Sequence, residues 1–126
     1  MTVSSVILGA TGVLLTFAPD MVLRNLHIDA NPASLLLGQV IGGLYFGYGM
    51  LNWMTKESLV GGIYHRPVAI ANFAHHLIAG LAITKGLISN PELTTSLWVA
   101  GALYVVFGLL FIMMLFRHPT GSATER

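Results

Sequence analysis

Cysteine is absent from the chain, which excludes disulfide bonds, thiolate zinc or iron-sulfur sites and a thiol nucleophile. Charge is scarce as well: Asp, Glu, Lys and Arg make up 9% of the 126 residues, against about 25% in an ordinary soluble domain. A water-facing surface cannot be assembled from so few charged side chains. The Lys and Arg residues are scattered, with no run of five or more, so the electrostatic footprint of a nucleic-acid-binding protein is missing. No H-E-x-x-H, phosphate-binding loop or G-x-S-x-G sequence occurs, and no Ser/His/Asp arrangement presents itself. Catalysis therefore has no support at this level.

What the chain does have is apolar length. Hydrophobic residues reach 55%, mean hydropathy is +0.76, and several apolar runs approach the ~20 residues needed to cross a bilayer as a helix. This predicts an all-α polytopic membrane protein: one domain over residues 1–126, a four-transmembrane-helix bundle with spans at about 3–18, 34–54, 67–87 and 96–116, and a short interfacial helix after the first span.

The first run resembles a signal peptide, with Thr16-Phe17-Ala18 as a small-residue cleavage site. The lack of Lys or Arg in residues 1–5 and the presence of Pro19 argue instead for a retained helix. Gly9, Gly12 and Thr16 give that helix a narrow packing face. Residues 19–32 alternate apolar side chains with Asp20, Arg24, His27 and Asp29, which suits an interfacial helix and a turn at Asn31-Pro32, with His27 on the surface. The second span carries Gly38, Gly42, Gly43, Gly47 and Gly49, including the pairs Gly38/Gly42 and Gly43/Gly47 in G-x-x-x-G spacing. It is the expected packing hub. Residues 55–66 read as a polar loop, Gly101, Tyr104 and Gly108 share a face of the fourth span, and residues 119–126 form a polar tail. Lys56, Arg66, Arg117 and Arg126 lie on one side of the predicted membrane and Arg24 and Lys85 on the other, so the basic-residue bias puts both termini in the cytoplasm.

The third span carries the chemistry. Asn72, His75 and His76 sit inside it, the His pair ~13 Å from Pro67 and so near mid-membrane. Polar groups at that depth face other helices, a cavity or a cofactor. Neighbouring helix positions differ by ~100°, so the two rings serve different faces. His76 shares a stripe with Asn72 and Gly80, giving an imidazole, a polar neighbour and space. Such an arrangement fits haem or a chlorophyll-type pigment, which need a nitrogen ligand and room for a flat ring, or a quinone headgroup bonded to His and to Tyr45, Tyr48 or Tyr104. The plainer alternative is a neutral histidine bonded within the bundle to one of those tyrosines or to a backbone carbonyl. No metal can be assigned: Met50, Met54, Met113 and Met114 lack the Met/His clustering of a copper site and read as packing and lipid contacts.

Residues 14–19, Leu-Leu-Thr-Phe-Ala-Pro, followed by a Gly-rich second helix ending near Asn52-Trp53, resemble the small four-helix membrane proteins called DoxX-like. The resemblance implies a four-helix bundle in the bacterial inner membrane, sometimes associated with redox complexes. It transfers no catalytic residue. The expected function is an accessory or structural subunit of a larger membrane assembly, redox or pigment-bearing, whose partners are lipid, other subunits or further copies of itself. The rival readings are a homo-oligomeric transporter or channel, with a water path past Asn72, Gln39 and the tyrosines, and a small enzyme acting on a quinone or lipid.

Overall fold

The computed structural model describes residues 1–57 and 65–116, with the backbone alone at His65. Among these residues the chain is helical throughout, without strands: α1 Thr2–Phe17, α2 Pro19–Asn25, α3 Pro32–Met54, α4 His65–Ser89 and α5 Thr95–Phe116. Three of them, α3, α4 from Arg66 and α5, are long and apolar enough to cross a membrane. Taking the bent pair α1 and α2 as one broken span adds a fourth. Alone, the 16 residues of α1 reach ~24 Å, short of the ~30 Å hydrocarbon layer. The outward surface is strongly apolar, with Leu36, Leu37, Ile78, Leu81, Val106 and Leu109 all exposed, which is compatible with a lipid setting. The polar loop expected over 55–66 lies largely, and the tail beyond residue 116 entirely, outside the described residues.

Local chemistry explains the breaks. Pro19 has no N–H to continue the ladder of α1 and is instead well placed at the start of α2; the axes of the two helices differ by 105°. α2 ends in a Schellman motif, His27 N–H donating to the Arg24 carbonyl at 3.1 Å and Ile28 N–H to the Leu23 carbonyl at 2.9 Å. His27 holds the left-handed position with φ 57°, where glycine is the usual occupant. α3 opens on Asn31, whose side-chain oxygen accepts from the N–H groups of Ala33 and Ser34, both at 3.0 Å, with Pro32 as first helical residue. α4 starts two residues before the expected Pro67 because proline is tolerated in a first turn.

The helices pack as two antiparallel pairs, α1 with α3 and α4 with α5, and the direct packing between the pairs is slight. The first pair is held at backbone distance. A Cβ added to Gly12 would lie 2.8 Å from the Gly42 carbonyl oxygen, one on Gly42 would lie 2.8 Å from the Thr16 nitrogen, and one on Gly49 would lie 2.7 Å from the Gly9 nitrogen. The contact rows are thus Ser5, Gly9, Gly12 and Thr16 against Gly42 and Gly49. Gly38 sits one step further along, facing Pro19. Gly43 and Gly47, one residue and ~100° around the helix from that row, are exposed with open space beside them. The close approach therefore uses one face of α3 and leaves the second G-x-x-x-G pair facing outward. In the other pair, Gly101 receives the Ile83 and Leu87 side chains, and Gly108 faces His76.

Candidate functional site

Because helix packing between the two pairs is slight, polar side chains and a cavity occupy the seam. The polar bridge begins with Asn52 and Asn72, both fully buried. Each amide donates to the other's oxygen, at 2.8 Å and 2.6 Å. The Asn52 amide also reaches the buried Ser4 hydroxyl at 3.1 Å, and the Asn72 amide bonds the Val68 carbonyl at 2.9 Å. One reciprocal amide pair thus ties α1 and α3 to α4. In an apolar interior an unpaired amide costs more than the bond gains, so the pair fixes the register of the two halves.

His76 follows one turn along α4. Its Nδ1 lies 2.7 Å from the backbone carbonyl of Asn72. A carbonyl only accepts, so Nδ1 carries the proton and donates; in the neutral imidazole Nε2 is then the bare acceptor. No other hydrogen bond is made by this ring among the described residues. Aromatic rings hold it in place: Phe111 stacks on it at 5.4 Å, with Phe107 and Tyr104 tilted against it at 5.4 Å and 5.3 Å.

His75, as its position predicts, faces elsewhere. Its ring lies at 87° to that of His76, stacks on Tyr48 at 4.9 Å and meets Tyr45 edge-on. The hydroxyls of Tyr45 and Tyr104 are hydrogen-bonded to each other across the seam, and Tyr104 Oη lies 3.4 Å from His75 Nε2, at the outer limit of a weak bond. These four side chains close a second polar bridge between α3, α4 and α5.

Beside this cluster lies a cavity of about 470 Å³, walled mainly by branched apolar side chains from all five helices. It extends from the first turns of α3 and α5, where Ser34 and Ser96 line it, to Tyr45, Tyr104 and His76 at mid-helix and Ser4 in the first turn of α1. α2 and its C-cap residue Leu26 contribute Val22, Leu23 and Leu26 to its outer end, and Asn25 is bonded to Ser96 of α5 at 2.8 Å. A smaller groove of about 310 Å³ lies between α4 and α5, and His76 and Tyr104 line both spaces. An apolar pocket of a few hundred Å³ with convergent polar groups at one end is the usual form of a small-molecule site.

The structure brings together His75, His76, Asn72, Tyr45, Tyr48 and Tyr104. Their roles differ from a single stripe beside His76: Asn72 holds His76 through its backbone carbonyl while its side chain pairs with Asn52, and Gly80 faces Tyr104, whose Cβ would lie 3.4 Å from an added Cβ, and lines the smaller groove. Neither Asn72 nor Gln39 lines the cavity. Asn52, Ser4, Phe107 and Phe111 are absent from the expected set. A signal for Asn52 exists in the sequence, because Gly42, Tyr45, Gly49 and Asn52 recur at helical spacing on one face. No protein-family model matches the chain, and comparison with curated proteins and with solved structures returns no match.

Proposed function

We propose that the chain is a small integral membrane protein of the bacterial inner membrane, an accessory subunit of a larger assembly, that holds a membrane-soluble ring-bearing ligand of the quinone class between its two helix pairs. The observation that carries the reading is the apolar cavity ending on His76, whose Nε2 is left as an uncommitted acceptor. Among the ligands that His and Tyr side chains fit, a quinone-type head is favoured over a tetrapyrrole because the end of the cavity beside His76 also carries the Tyr45 and Tyr104 hydroxyls, polar groups that a quinone-type head can meet. The apolar length of the cavity suits a short part of a lipid tail. Gly43 and Gly47, facing outward without internal contacts, give a helix of another subunit or another copy a place for close approach. The resemblance of residues 14–19 to DoxX-like proteins points to the same setting.

A photoactivatable quinone analogue tests the reading in bilayers containing the protein. Cross-links should fall on cavity peptides carrying Ile41, Leu103 or Phe107, and unlabelled short-chain quinone should suppress them. Cross-links confined to the outward faces of α3 and α5 would contradict it.

A further inference from the structure

The same site specifies what its ligand must offer. Nδ1 of His76 is committed to the Asn72 carbonyl, so Nε2 presents a lone pair and no proton. A protonated ring would put a charge in an apolar interior with no carboxylate facing it: the side chains packed on His76 from α4 and α5 are His75, Tyr104, Phe107 and Phe111, and from α3 the cavity adds Tyr45. Tyr45 and Tyr104 are hydrogen-bonded to each other, which uses one of their two hydroxyl protons. The remaining one has His75 Nε2 within 3.4 Å of Tyr104. On the His76 ring the unused capacity is therefore that of an acceptor, while Ser4, which lines the same end, accepts from Asn52 and keeps its own hydroxyl proton.

We infer that the occupant presents a hydroxyl donor to His76 Nε2, and that it is an aromatic alcohol of the hydroquinone class rather than the oxidised quinone. A quinone carbonyl placed there would set acceptor against acceptor, whereas a phenolic O–H completes the only open position of the ring. Aromaticity follows from the walls: Tyr45, Tyr104 and Phe107 line this end, and ring faces and edges pack well against a planar ring. The inference rests on the cavity being a ligand site and adds the redox form and the donor.

The test uses the full chain in nanodiscs and measures affinity for three probes of one shape: a decyl-substituted hydroquinone kept reduced, its dimethyl ether and the corresponding benzoquinone. The hydroquinone should bind about tenfold more tightly than the ether and the quinone, the value of one hydrogen bond to a desolvated acceptor. In His76→Leu that preference should vanish while ether binding persists. In the wild-type protein ¹⁵N NMR should show Nε2 unprotonated, with its resonance shifting on addition of the hydroquinone and not of the ether, a readout that needs no variant. Equal binding of all three probes would overturn the donor rule and leave the ligand site standing. Tighter binding of the quinone, or a protonated Nε2, would overturn it as well, and an aliphatic alcohol of equal length competing as well as the hydroquinone would overturn the aromatic assignment. Failure of every probe to bind would remove both the inference and the ligand site beneath it.

Discussion

At the scale of single residues, the seam depends on paired amides more than on the histidines that draw attention in the sequence. Asn52 and Asn72 satisfy each other, so replacing either by Leu strands the other in an apolar interior. Each single variant should lose about 1 to 3 kcal/mol of unfolding free energy. The double variant should lose less than the sum, with a coupling of about 0.6 to 1.7 kcal/mol, the range found for interhelical hydrogen bonds in membranes. Reversible unfolding in mixed micelles measures all three, and strict additivity would mean the amides do not bond. His76 and Asn72 were legible as mid-span polar residues. Asn52 shares a helical face with Gly42, Tyr45 and Gly49, which marks it as inward-facing, but only the fold of α4 onto α3 places Asn72 against it. His27 is a smaller case: it occupies a left-handed backbone position, which costs an L-residue roughly 1 to 2 kcal/mol that glycine avoids. His27→Gly should therefore leave stability unchanged or raise it, as judged by thermal unfolding.

At the scale of elements, the glycines of α3 divide into two faces. A side chain at Gly42 would collide with Thr16 and the backbone of α1, so Gly42→Leu should cost about 1 to 3 kcal/mol or force the pair apart. Gly43→Leu meets nothing within the chain and should leave monomer unfolding within about 0.5 kcal/mol of the parent, while weakening any association through that face. Equal loss of monomer stability in both variants would mean that α3 is rotated relative to α1. The hydropathy pattern located the long helices to within a few residues, and Pro19 marked the corner between α1 and α2. Which G-x-x-x-G pair points inward was not legible, since Gly38, Gly42, Gly43 and Gly47 satisfy the same spacing rule on adjacent faces. The choice belongs to α1, whose Gly12 and Thr16 row accepts Gly42 and Gly49 and leaves Gly43 and Gly47 outside.

At the scale of the whole molecule, two helix pairs meet through a few hydrogen bonds and a cavity instead of through tight packing. That division is what gives an apolar 126-residue chain room for a guest. The basic-residue bias predicts an orientation with both termini in the cytoplasm: in cells, Asn90→Cys should then react with an impermeant maleimide added outside, and Glu57→Cys only after permeabilisation, a clean assay in a chain without other cysteines. The reverse pattern would invert the topology. The central claim is that the seam holds a ligand anchored by His76, and native mass spectrometry of protein released gently from its own membranes tests it most directly. The wild-type chain should carry one additional molecule of quinone-class mass, and His76→Leu, at equal helicity, should lack it. A wild-type chain that retains bound phospholipid but no such molecule, or an adduct held equally by His76→Leu, would contradict the account.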